Sequence, residues 1–179
     1  VWVPATPDTH NTYPQPEWQI PGVGLPLARL VAIISLSCGA VLDVAIGTYK
    51  GKETGEHALL RQMLGSISAG DIILGDRYYC SYFLIVMLQR LGADSVFQIH
   101  GSRKSDFRRG KQIGKKDHIV IWEKPKQRPN WMNESMYRQM PDMLTIRELK
   151  INGKVITTTF LNPKEVTRKE IGELNSKRG

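Results

Sequence analysis

Between an apolar strand-like run and an apolar helix-like run, in GDIILGDRYYCSYFLIVMLQRLG (residues 70–92), stands a single acid, Asp76. An acid at a strand-to-helix junction falls at the carboxyl edge of a sheet, where open α/β sheets place their ligands. Carboxylates are also the hard-oxygen ligands that Mg²⁺ and Mn²⁺ prefer. Asp is equally a favoured turn former, whose side chain here would bond the amides of Arg77 and Tyr78. On local pattern both readings of Asp76 stand.

The remaining acids supply no obvious partners. Asp43 falls mid-strand on a mixed face, where lone acids are mostly solvated. Asp8, in Pro7-Asp8-Thr9, reads as a turn or cap, and Glu53 and Glu56 suit the positive end of a helix. The two cysteines, Cys38 and Cys80, lie far apart, and the four histidines (His10, His57, His100, His118) show no metal-ligand spacing. A zinc site and a disulfide framework are therefore not expected, and a reducing cytosolic setting is the default.

The strongest electrostatic feature is GSRKSDFRRGKQIGKK (residues 101–116). It carries Arg103, Lys104, Arg108, Arg109, Lys111, Lys115 and Lys116 against one acid, Asp106, within a chain of net charge +8. A charge run is commonly a solvated loop. This one, spaced by Gly110 and Gly114, also suits a flexible phosphate-binding arm, in which each neutralised phosphate adds salt-dependent affinity. Trp122 and Trp131 could stack on an unpaired base, although aromatic side chains supply buried area first.

These residues need elements to position them. Six prolines in residues 1–26 exclude a long helix there and imply an extended, looping start with little regular structure. Residues 27–48 alternate as two strands around a turn near Ser37-Cys38-Gly39, with Val41, Asp43 and Ala45 on one face and Leu42, Val44 and Ile46 on the other. An amphipathic helix follows, capped by Thr54 and ending near Gly65. Then come a strand at 72–74, a mostly buried helix at 81–91 and a strand at 95–99. Beyond the basic run, HIVIW, MLTIRELKI and KVITTTFL read as strands, joined by a proline-containing loop, and Asn162-Pro163 opens a last helix to about Lys177. The expected class is α/β, a mixed sheet with flanking helices and a β-rich insertion. Residues 1–100 form its core, 101–161 the basic arm and insertion, and 162–179 the beginning of a C-terminal helical region.

At 179 residues the chain fits one domain, and its uncharged run at 30–42 is too short to span a bilayer. The opening VWVPATPD lacks a secretory pattern and an initiator Met, which suggests a fragment or a processed product.

PATPDTHNTYPQP, GVGLPLARLV, YKGKETGEHALLRQML, GDIILGDRYYCSYFL, RKSDFRRGKQIGKKDH and TTFLNPKEVTRKEIGEL occur in the order found in bacterial insertion-sequence DDE transposases. The chain resembles the group named after insertion sequence four over nearly its whole length, and Gly75-Asp76-Arg77 with the aromatic helix behind it is the most specific piece. The resemblance implies an RNase H-like catalytic fold interrupted by a β-rich insertion. It further implies two Asp and one Glu holding a pair of Mg²⁺ or Mn²⁺ ions for DNA cleavage and strand transfer. Asp76 matches the second Asp, as catalytic residue and metal ligand.

The first Asp of the pattern would precede Val1. The Glu belongs to a signature spaced Tyr, two residues, Arg, three residues, Glu, six residues, Lys; Arg178 takes its Arg position, but Asn175 stands where Tyr is expected and Glu would fall beyond Gly179. The expectation is a transposase core cut at both ends and inactive alone, or a non-catalytic DNA-binding remnant. Transposon-end and target DNA would be the partners, with Arg178 joining the basic run in contacting it. A homo-oligomer, no membrane, and a cytoplasmic, nucleoid-associated location complete the expectation.

Overall fold

The alternation at 27–48 resolves into two antiparallel strands, β1 (Ala28–Ile34) and β2 (Val41–Thr48), that pair Leu30 with Ile46 and Ala32 with Val44. Gly39 closes their turn at φ 71°, a conformation that costs glycine little. The computed structural model describes residues 1–20 and 22–177 of the chain, which divides into two compact units, Val1–Ile67 and Ser68–Gly179.

In the first unit the hairpin is a two-stranded sheet of its own. Helix α2 (Glu56–Gln62) packs on both strands and buries Ala58, Leu59 and Leu60. The fit is close: a Cβ on Gly47 would stand 3.1 Å from Leu59 Cδ2. Thr54 is not the cap. Gly55 takes that position without a side-chain bond, while the Thr54 hydroxyl donates to the Gly51 carbonyl at 3.1 Å. The proline-rich start also holds more order than expected. There Pro7 begins a short helix, α1 (Pro7–Thr12), where its missing N–H costs nothing, and Thr6 closes a reciprocal capping box with Thr9.

The second unit is built on a six-stranded sheet. Its strands are β3 (Ile72–Gly75), β4 (Asp94–Gln98), β5 (Lys111–Gly114), β6 (Asp117–Glu123), β7 (Met143–Ile151) and β8 (Lys154–Thr158). They lie in the order β3-β4-β8-β7-β6-β5. Only β3 and β4 run parallel, joined through helix α3 (Tyr82–Arg90). Ser81 caps α3 by accepting the Leu84 amide, and the helix buries Tyr82, Phe83, Leu84, Ile85, Val86 and Leu88, as its all-round apolar sequence requires. β4 is buried on both faces, with α3 and α5 (Arg168–Ser176) packed against it. Val96, Leu149, Ile156 and Ile171 form the core under α5.

This is the mixed α/β architecture expected of an RNase H-like domain. Three local readings change. Asn162 does not open the last helix: its side chain accepts from Lys164 N and donates to Glu165 in a turn, and α5 begins after Thr167, in a capping box with Glu170. The proline-containing loop holds α4 (Glu134–Gln139), capped by Asn133. The basic run contributes an edge strand, β5, rather than loop alone.

Candidate nucleic-acid interface

Asp76 follows β3 directly, as expected, and is exposed. Its Oδ1 accepts the Tyr78 amide at 2.8 Å, and its carbonyl accepts the Tyr79 amide at 3.2 Å, so the residue does form a turn. The strand reaches this point over an aromatic ring, since a Cβ on Gly75 would stand 2.7 Å from Phe97 Cε1. Glycine is what allows β3 to lie so close. Among the described residues, no group of three or more His, Cys, Asp or Glu could hold a metal ion. Asp76 by itself does not fit a pair of Mg²⁺ ions, which demand near-octahedral coordination, and no chemical step follows through them.

The basic run converges elsewhere, on a groove of about 580 Å³. Arg103, Lys104, Arg109 and Lys111 line it, above a floor from β6 and β7 that includes Val120, Trp122 and Glu148. The hairpin of β5 and β6 brings these cations together by folding the run back on itself, with Lys111 paired to Ile119. At Gly110, φ is 73° and a Cβ would fall 2.2 Å from the Ile119 carbonyl oxygen, so this turn requires glycine.

A buried polar network holds the floor. His118 and Glu148 lie directly opposite each other on β6 and β7. The Trp122 indole N–H donates to Glu148 Oε1 at 2.8 Å. His118 Nδ1 is 2.7 Å from the Arg109 carbonyl, which can only accept, so Nδ1 carries a proton. That leaves Nε2 facing Glu148 Oε2 at 3.1 Å. Phe107 covers the imidazole, with ring centroids 4.6 Å apart. Above Trp122 lies Arg103, its guanidinium carbon 3.8 Å from the ring centroid. Such stacking fixes a cation at the groove by attraction to the ring quadrupole.

The seven cations are therefore not equivalent. Arg108 is tied to Asp106 through Nε at 2.8 Å and Nη2 at 3.0 Å, while Arg109 Nε stands 3.5 Å from the same carboxylate. The Arg108 hydrogen bonds hold the Asp106 carboxyl down to about 2 and raise the Arg108 guanidinium in turn. Lys115 and Lys116 form the β5–β6 turn, away from the groove lining, and the Lys115 carbonyl accepts from Arg168 at 2.7 Å. Arg178 lies outside the described residues. Trp122, 4% exposed, is not displayed for stacking on a base, while the half-buried Trp131 meets Phe83 edge to face at 6.5 Å.

A buried ion pair occupies the opposite face of the same two strands. Arg147 donates to Asp117 through Nε at 2.9 Å and Nη2 at 2.7 Å, and through Nη1 to the Val166 carbonyl at 2.8 Å. Fork-to-carboxylate geometry of this kind is strong and directional. No motif in the sequence marks either pair; thirty residues separate the partners in each, and only the strand register joins them.

The profile of the transposase DDE domain family matches residues 6–179, and the chain belongs to that family. Proteins of this family act on DNA and generally use divalent metal ions. Curated relatives carry a different description. The chain is 28% identical over 145 residues to 2-C-methyl-D-erythritol 2,4-cyclodiphosphate synthase of Nostoc sp., covering 79% of this chain and 82% of that protein. The protein of the same description from Nostoc punctiforme is 31% identical over 107 residues, 60% of this chain and 61% of its own. No solved structure matches. No helix among the described residues is long and apolar enough to cross a membrane.

Proposed function

We propose that this chain is the DNA-contacting part of a bacterial insertion-sequence transposase of the insertion-sequence-four group, binding the DNA backbone through the groove lined by Arg103, Lys104, Arg109 and Lys111. The convergence of these four cations on one concave surface supports this reading most directly. Lys115, Lys116 and Arg178 add longer-range attraction. Arg108, already neutralised by Asp106, contributes least. Residues 101–161 act as the β-rich insertion that carries the groove, between a core at 1–100 and the helical region from 162.

Asp76 takes the place of the second Asp of the DDE set, as ligand to Mg²⁺ or Mn²⁺. In this reading the polypeptide alone binds DNA without cutting it. The working form is a homo-oligomer, cytoplasmic and associated with the nucleoid. The cyclodiphosphate synthase likeness is not carried over, since it falls on shorter stretches than the family match.

Filter binding to duplex DNA across a salt series tests the proposal. Affinity falls steeply with salt, and Lys104→Ala with Lys111→Ala lowers the slope of log K against log salt by roughly 0.9 for each phosphate no longer neutralised. Salt-insensitive binding, or an unchanged slope in the double variant, removes the groove from the reading. In the same preparations Mg²⁺ or Mn²⁺ produces no nicking, and metal-dependent nicking abolished by Asp76→Ala would show an active enzyme instead.

A further inference from the structure

An acid is an unexpected lining for a groove that collects cations, yet Glu148 lies buried in its floor. Each of its oxygens meets a different ring: Oε1 accepts the Trp122 indole N–H at 2.8 Å, and Oε2 stands 3.1 Å from His118 Nε2. Those two rings are where the basic loop 103–109 touches the floor. The Arg103 guanidinium carbon lies 3.8 Å from the indole centroid, Phe107 covers the imidazole with ring centroids 4.6 Å apart, and the Arg109 carbonyl accepts from His118 Nδ1 at 2.7 Å. The beginning, middle and end of the loop are thus held by rings that one side chain orients. Glu148 itself is fixed in register, because β7 is paired on both sides: it stands opposite His118 on β6 and Thr157 on β8.

Stability does not call for this arrangement. A hydrophobic side chain of similar volume would fill the same place without the desolvation cost of a buried acid, and an ionised acid would repel the phosphate that the groove takes up. What an aliphatic side chain lacks is a pair of acceptor oxygens set at fixed angles to two rings. We propose, on the reading of the groove as a DNA-backbone site, that Glu148 is its positioning residue, holding loop 103–109 in the binding shape before DNA arrives. Order in advance matters at such a site, because each long side chain immobilised on binding subtracts from affinity, and arginine is among the side chains with most rotamer freedom to lose. With Trp122 and His118 held, the Arg103 guanidinium and the Arg109 backbone are set in place in the free protein.

Two substitutions separate positioning from charge. Glu148→Gln keeps both contacts, since its amide oxygen accepts from the indole and its amide N–H donates to His118 Nε2, whereas Glu148→Leu keeps the volume and loses both. In filter binding of the whole chain to duplex DNA, Glu148→Leu weakens affinity about tenfold, and Glu148→Gln restores most of it. A charge effect alone predicts the reverse for Glu148→Leu, tighter binding once the acid is gone. NMR of the free protein gives the second readout: the Trp122 ring current shifts the Arg103 side-chain protons upfield in the wild type and in Glu148→Gln, and the shift is lost in Glu148→Leu while the remaining spectrum stays folded. A purely structural role would not move that one side chain in a folded variant. Absence of DNA binding by the wild type overturns the reading of the groove, and the Arg103 shift tells that outcome apart from failure of the positioning role. Should Glu148→Leu not fold, Trp122→Phe keeps a ring under Arg103 but removes the N–H, and it weakens binding in the same direction. Wild-type affinity in Glu148→Leu or Trp122→Phe, a Glu148→Gln protein as weak as Glu148→Leu, or an Arg103 shift that survives Glu148→Leu overturns the proposal.

Discussion

The two units treat their apolar residues in opposite ways. Fourteen of the twenty exposed large apolar side chains among the described residues belong to Val1–Ile67, which is the shorter unit, while most of the buried core belongs to Ser68–Gly179. Composition does not cause the difference; layering does. One helix of seven residues can cover only one face of a two-stranded sheet. The six-stranded sheet has α3 and α5 packed on β4 and retains enough interior to enclose a polar pair on one face of β6 and β7 and an ion pair on the other. A two-stranded hairpin is marginal by itself and depends on what it packs against, so the first unit leaves apolar side chains exposed on its own while the second encloses them.

The sharpest way to break the comparison is to attack the interior that only the second unit has. Arg147→Met strands Asp117 as a buried, unpaired carboxylate and should cost roughly 3–5 kcal/mol in urea unfolding, most of it recovered by adding Asp117→Leu. A cost near that of a surface substitution would show that the pair is not enclosed. Next in size is a contrast inside the first unit. Leu59→Ala, at a residue 1% exposed, should cost about 2–4 kcal/mol, whereas Leu42→Thr, measured at sub-micromolar protein, should stay within about 0.5 kcal/mol. Equal losses would mean that both hairpin faces are covered in the isolated chain.

The smallest effect is electrostatic. Asp106 is held to about 2, chiefly by the Arg108 hydrogen bonds, below its value in an unfolded chain, so its small contribution is complete above about pH 4 and is lost as pH falls through about 2. Carbon-detected NMR of the side-chain carboxyl should place the midpoint near the lower value, and Arg108→Ala should return it toward the ordinary carboxylate range. Because the pair is solvent-facing, global stability should barely follow it.

Strong local patterns were readable in advance. Alternation defined β1 and β2, and the continuous apolar run defined α3. Weak or competing patterns were not. Pro7, Asn133 and Thr167 each began helices that the prolines and asparagine nearby disguised, although Thr167 and Glu170 show the spacing of a capping box. At the site, the clustering of cations along the chain anticipated a basic surface, but not its division into groove-lining, neutralised and turn residues. His118 and Glu148 were invisible because their relation is a matter of register, and register is fixed by tertiary pairing.

Gly110 carries one more lesson. Any of the cations around it can be exchanged for another residue with the loss of a charge, leaving the backbone path intact. At Gly110 even a single methyl group would strike the Ile119 carbonyl. The shape of the groove thus depends on its least reactive member, and a library that randomised the charges while keeping this glycine would vary ligand preference on an unchanged scaffold.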